Sequence, residues 1–114
     1  VTASGNGANG LNLVETYSGA TFFGGQELVS VNNTANGVRI VSDGAGAITM
    51  DFGGGGDSAG QSSFYGNGSR DFRYNNGTPA TTVDAQFNWW GIGGGTFAGN
   101  VDHSNPLAAD PNAP

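Results

Sequence analysis

The sequence predicts an all-β solenoid, and an internal repeat, a period-two apolar pattern and regularly spaced turn residues predict it. Asn9-Gly10-Leu11-Asn12-Leu13 returns as Asn36-Gly37-Val38-Arg39-Ile40, 27 residues later. On the same offset Gly19-Ala20 falls on Gly46-Ala47, Thr21 on Ile48 and Phe23 on Met50. A repeat of this length is the mark of a solenoid in which each repeat forms one coil. Within each repeat apolar and polar residues alternate, as in Leu11-Asn12-Leu13, Val38-Arg39-Ile40 and Ile48-Thr49-Met50-Asp51-Phe52. Successive side chains of a strand point to opposite faces, so alternation means strands with one buried face.

Composition agrees with many short strands and turns. The chain has 114 residues, 22 of them glycine, with 11% charged and 36% hydrophobic residues. Seven Phe, three Tyr and two Trp separate it from a disordered chain, which lacks the apolar surface to offset backbone entropy. The formal net charge is −6 and the basic residues are Arg39, Arg70 and Arg73, with no lysine. Nucleic-acid binding needs clustered cations that displace phosphate counterions, so no nucleic-acid partner is expected. No apolar run is long enough for a membrane span, and no membrane insertion is expected. Without cysteine there is no disulfide framework and no thiolate zinc cluster. Low charge, absent lysine and abundant Gly, Asn, Ser and Thr lean towards an exported protein. Val1, with no signal-like segment, suits a processed N-terminus.

The elements follow in order. The first coil carries strands around Leu11–Leu13 and Thr21–Phe23, and the second around Val38–Ile40 and Ile48–Phe52. Turn signals separate them at Asn36-Gly37, Asp43-Gly44, Gly53 to Gly56, Asn67-Gly68 and Asn76-Gly77. In the third coil Phe72 with Tyr74, and Val83 with Ala85, stand about 34 to 35 residues beyond their counterparts, length that a solenoid accommodates as a loop. That loop is placed at Gly53 to Gly60, before a strand at Ser62-Ser63-Phe64-Tyr65. Asn9, Asn36 and Asn67 are candidates for equivalent turn positions. Stacked about 4.8 Å apart, their amides would form a coil-to-coil hydrogen-bond ladder, or each is simply a good turn residue.

The segment Val83-Asp84-Ala85-Gln86-Phe87-Asn88-Trp89-Trp90-Gly91 carries a family resemblance. It resembles the closing coil of bacterial right-handed parallel β-helix proteins of the pectate-lyase-like superfamily. There an apolar-x-Ala strand leads into Asn-Trp-Trp-Gly, a Gly-rich loop and a Pro-Leu…Asp-Pro ending. Gly93-Gly94-Gly95, Asn105-Pro106-Leu107 and Asp110-Pro111 stand at those places, and Ser63-Phe64-Tyr65-Gly66-Asn67 with Asp71-Phe72 resembles the penultimate coil. The resemblance implies a right-handed parallel β-helix of about three to four coils with three short strands per coil. Coils are expected over residues 1–91, and a C-terminal capping segment and tail over 92–114. Trp89 and Trp90 either close the apolar end of the stack or offer a sugar-stacking platform.

The fold hosts many activities, so function rests on sites. The family's pectin-cleaving members use clustered carboxylates that hold calcium, close Asp residues, or Arg-x-Lys and His-Gly pairs. This chain has no Asp-Asp, Asp-x-Asp, lysine or His-Gly, so no catalytic residue and no cofactor are expected. Asp51 and Asp57, flanking Gly53 to Gly56, are weak calcium candidates. Arg70 and Arg73 with Asp71 form a polar group or a solvated strand face. Asp102-His103-Ser104 are chain neighbours that do not converge as a triad. Asn32, Asn67 and Asn76 begin triplets of the glycosylation pattern. A non-catalytic extracellular or cell-surface protein with a structural or adhesive role is therefore expected. Its open N-terminal end would continue into, or stack on, another β-helix segment or subunit, giving a head-to-tail fibre in the second case. The alternative is a supporting fragment of a polysaccharide-binding or polysaccharide-degrading β-helix protein.

Overall fold

The computed structural model describes residues 2–15, 21–42, 48–53, 60–75 and 82–113. These residues form eleven strands and, among them, no helix, hence none long and apolar enough to cross a membrane. The strands belong to three sheets, all paired in parallel.

The chain visits the sheets in rotation. The first circuit lays down β1 (Thr2–Ser4), β2 (Leu11–Glu15) and β3 (Thr21–Gly24), one in each sheet. The second adds β4 (Val29–Val31), β5 (Val38–Ser42) and β6 (Ile48–Asp51) beside them. The third adds β7 (Ser63–Tyr65), β8 (Phe72–Asn75) and β9 (Val83–Asp84). A fourth, shorter circuit contributes a bridge from Trp89 to Ser63, then β10 (Phe97–Ala98) on β8 and β11 (Val101–Asp102) on β9. Sheet pairing thus runs on to Asp102, beyond the residue 91 boundary expected for the coils, because the segment after the tryptophans still offers Phe97 and Val101 to the core.

Register follows the repeat. Leu11 pairs with Val38, Leu13 with Ile40 and Phe23 with Met50, all 27 residues apart. Val29 then pairs with Ser63 and Val38 with Phe72, 34 residues apart. The added length enters between Asp51 and Ser63, of which residues 54–59 lie outside the described residues. In the third sheet Asp51 pairs with Asp84, so Val83 falls beside Met50 and Ala85 beside Phe52, short of the expected offset of about 34 to 35. This keeps both aspartates half-exposed while Met50, Phe52, Val83 and Ala85 are buried.

The inward residues form columns, and those of the first two sheets become aromatic in the later circuits. One column runs Leu11, Val38, Phe72, Phe97 and another Ala3, Ser30, Phe64, with Trp90 following Phe64. The later circuits bring the aromatics together: Phe72 meets Phe52 and Phe64 edge-on at 5.3 and 5.7 Å between centroids. Quadrupoles favour that geometry, adding to the burial of large apolar rings. The first circuit contributes Leu11, Leu13, Phe23 and Leu28, all only partly buried.

Two corners flank the first sheet, and both use left-handed backbone. Gly5, Asn32 and Gly66 follow β1, β4 and β7 with φ of 65, 56 and 69°. The other corner holds Glu27, Gln61, Phe87 and Asn105 at φ 51 to 57°, none of them glycine. They are stacked: Glu27 N donates to Gly60 O, Gln61 N to Phe87 O and Phe87 N to Asn105 O. Left-handed backbone costs a non-glycine residue roughly 1–2 kcal/mol, which the neighbouring circuits' hydrogen bonds offset. Gln61→Gly should therefore raise stability, by up to about 1 kcal/mol once glycine's own entropy is counted, measured as a shift of the urea midpoint at unchanged m-value.

Candidate functional site

The turn between the first and second sheets holds three buried polar side chains, Asn33, Asn36 and Asp71. Asn33 lies at its centre, 2% exposed. Its Oδ1 accepts from the backbone N and Nδ2 of Asn6 at 3.1 and 2.9 Å, and its own N and Nδ2 donate to Asn67 Oδ1 at 3.0 and 2.9 Å. Asn67 repeats the pattern, donating N and Nδ2 to Asp71 Oδ1 at 3.2 and 2.9 Å. Asp71 Oδ2 accepts from Thr96 N and Oγ1 at 2.9 and 3.2 Å. Three amides thus run head to tail into one carboxylate, an acceptor-only group suited to end such a chain.

Asn9 and Asn36 form a second, shorter contact. Asn36 N and Nδ2 donate to Asn9 Oδ1 at 3.2 and 2.8 Å, so this pair points the opposite way along the stack. Asn67 does not continue it, which corrects the expected ladder of Asn9, Asn36 and Asn67. The offset that sets Val38 beside Phe72 sets Arg70 beside Asn36, and Asn67 beside Asn33. Asn36 Oδ1 is accordingly buried without a partner. Asn6 and Asn33 stand on the 27-residue offset, but Asn33 is followed by Thr34 rather than glycine, so the Asn-Gly turn signal does not single the pair out. Glycine is required in Gly10 and Gly37 for space rather than for φ. A Cβ at Gly10 would strike Ser30 Oγ and Asn33 Nδ2, and one at Gly37 would strike Asn67 Nδ2 and Asp71 O.

The two tryptophans part company. Trp90 is 3% exposed and packs against Phe64, Phe72 and Phe97 at 5.3, 6.2 and 4.7 Å. Trp89 is half-buried and bridges to Ser63. Neighbours in an extended segment face opposite ways, so the pair does not form a sugar platform; Trp90 belongs to the core. Beyond it the His103 ring stacks on Phe97 at 3.7 Å and 2°. The tail then folds back: Leu107 N donates to Asn88 O, Asn112 Nδ2 to Gln61 O and Ser63 Oγ, and Ser63 Oγ to Asp110. Asn88, fully buried, staples the same end, giving Nδ2 to Phe52 O and Ala85 O and taking Ser62 N.

The carboxylates serve turns. Asp51, Asp84 and Asp102 stand in register across three strands, and each accepts the N–H two residues on, from Gly53, Gln86 and Ser104. The Ser104 hydroxyl, 2.6 Å from Asp102, holds that carboxyl below its ordinary pKa, helped by the Ser104 N–H and the nearby His103 against a partial burial. His103 lies on Phe97 while Ser104 turns to Asp102 and Gln86, so these three neighbours form no relay. Asp57 lies outside the described residues, and no three His, Asp or Glu side chains gather around a metal-sized space among the described residues. Asp71 points into the amide chain, whereas Arg70 caps Ser69 O and Arg73 bonds Asn75, so they share no site. Of the glycosylation triplets, Asn32 is exposed, Asn67 has its Nδ2 engaged by Ser30 O, Tyr65 O and Asp71, and Asn76 is outside the described residues.

One open cleft of about 250 Å³ lies beside Phe22, Gly24, Gly25, Gln26, Asp51 and Gly53, with the Phe22 ring 65% exposed. The chain matches no family model, and comparison with curated proteins and with solved structures finds no match.

The amide chain makes a sharp prediction. Asn33→Ala removes the acceptor of both Asn6 bonds and the side-chain donor to Asn67 Oδ1, leaving that oxygen only the backbone N–H of residue 33. It should cost about 2–4 kcal/mol in urea unfolding, against about 1 kcal/mol for Asn9→Ala at the less buried pair.

Proposed function

We propose that the chain is a right-handed parallel β-helix with a structural or adhesive, non-catalytic role outside the cell. It acts by stacking another parallel circuit, from a further β-helix segment or a second copy, on the edge formed by β1, β2 and β3. The observation that carries this is the difference between the two ends. At the far end Trp90, Phe97 and His103 cover the core and residues 104–112 bond back over it. At the near end β1, β2 and β3 stand last in their sheets, with Leu11, Leu13, Phe23 and Leu28 only partly buried. Unpaired strand edges over apolar surface template further pairing. Three sheets visited in rotation support the β-helix reading, and the low charge content supports an exported setting. A structural role is supported by how the acids are used: Asp51, Asp71, Asp84, Asp102 and Asp110 are each committed to a backbone N–H.

Sedimentation velocity over a concentration series should show reversible association. Hydrogen exchange should slow over residues 2–4, 11–15 and 21–24 as association proceeds. Sedimentation as one copy throughout, with fast exchange at these strands, would count against self-stacking and leave a different β-helix segment as the partner to seek.

A second reading, polysaccharide binding, is favoured by the exposed Phe22 ring over a cleft holding Gln26 and Asp51. Aromatic faces pack well on sugar rings, with amides and carboxylates taking the hydroxyls. If so, the chain co-sediments with insoluble pectin or alginate, and Phe22→Ala weakens this at least about fivefold, one stacking contact of about 1 kcal/mol. Equal retention of both chains would exclude this cleft.

A further inference from the structure

We infer that Asn6 is a site of spontaneous covalent modification, conversion to aspartate or isoaspartate through attack by its own backbone, and that the fold shields the neighbouring Asn-Gly pairs from it. Four such pairs lie in the described residues: Asn6-Gly7, Asn9-Gly10, Asn36-Gly37 and Asn67-Gly68. Glycine exposes these pairs to the reaction because no side chain hinders its nitrogen and its backbone is free to swing.

The reaction needs the glycine N–H to shed its proton and its nitrogen to reach the asparagine Cγ. In three pairs that N–H is committed to the neighbouring circuit: Gly10 N donates to Asn36 O, Gly37 N to Arg70 O and Gly68 N to Asn33 O, each at 2.9 Å. Their nitrogens are also held between stacked turns, where a Cβ on Gly10, Gly37 or Gly68 would strike the next turn. Gly7 differs on both counts. Its N–H has no hydrogen-bond partner among the described residues, Asn6 and Gly7 are exposed, and a Cβ on Gly7 would meet nothing within 4 Å.

The step balances without any cofactor. Gly7 N gives its proton to a solvent base and bonds to Asn6 Cγ. The Cγ–Nδ2 bond breaks, and Nδ2 leaves as ammonia after taking a proton from water. Water then adds to one of the two ring carbonyls. Opening at Cγ leaves aspartate, and opening at the main-chain carbonyl leaves isoaspartate, with the backbone routed through the side chain.

The product alters the first link of the amide chain. The 2.9 Å bond from Asn6 Nδ2 to Asn33 Oδ1 is replaced by a carboxylate oxygen facing a carbonyl oxygen. The chain's formal charge of −6 becomes more negative, at the turn between β1 and β2. In the stacking reading above, on which this one consequence rests, the new charge falls on the docking edge.

Peptide mapping by mass spectrometry, after incubating the folded chain in mildly alkaline buffer, tests the assignment. Asn6 should convert at least about tenfold faster than Asn9, Asn36 and Asn67, whose reaction must wait for local opening. In strong denaturant the four rates should converge. Gly7→Ala, for which there is space, should slow conversion at Asn6 without changing the unfolding midpoint. Conversion in the folded chain at equal rates in all four pairs, or faster at a shielded pair than at Asn6, would overturn the inference. A chain that never associates would leave this map unchanged, so failure of the stacking reading is read separately.

Discussion

Everything in this fold depends on neighbouring circuits keeping step, and the contact that enforces this most tightly is Asn33 between Asn6 and Asn67. Backbone pairing alone tolerates a slip by two residues, which restores the same faces. The amide chain does not, because each Oδ1 collects both the backbone N–H and the side-chain amide of the residue stacked on it. A slip would break two bonds at each link and leave buried acceptors empty, a larger penalty than the pairing itself repays. Termination at Asp71 strengthens the arrangement, since hydrogen bonds to an ionised carboxylate are stronger than those between neutral groups.

Packing works with this constraint. Small inward residues, Ala3 and Ser30, occupy the column beside the amide chain, and Phe64 and Trp90 take over where the stack closes. The buried aromatic side chains thereby concentrate towards the covered end, while the opposite end offers Leu11, Leu13, Leu28 and Phe23, all half-buried. One polypeptide carries an end covered by its own tail and an end where β1, β2 and β3 stand last in their sheets, separated by a few strand spacings. That asymmetry, more than any single side chain, is what a structural or attachment role would use.

Much of the architecture was legible in the sequence. The 27-residue repeat located β2, β3, β5 and β6 with their register, since inward residues such as Leu11 and Val38 carry the period in their side chains. The longer third circuit was visible in Phe72 and Tyr74. The amide chain was half visible: Asn-Gly marks the turns, but polar residues make contacts that depend on a register exact to the residue. The lengthened circuit shifts that register, so Asn67 was set beside the wrong partner. The fates of Trp89 and Trp90 were illegible because both suit either face of a strand, and only the packing around Phe64 and Phe97 selects which one goes inward.

The corner at Glu27, Gln61, Phe87 and Asn105 was invisible for a different reason. Left-handed backbone is usually announced by glycine, and here an acid, an amide, an aromatic ring and a second amide adopt it. Main-chain bonds to neighbouring circuits hold the conformation at Glu27, Gln61 and Phe87, and the Asn105 side chain adds a bond to Gln86. Three of the four are exposed and the fourth half-exposed. The result is an outward column at one strand spacing, about 4.8 Å, per step. Chemical character can be exchanged along it position by position while the scaffold stays the same, which makes this corner a display rail.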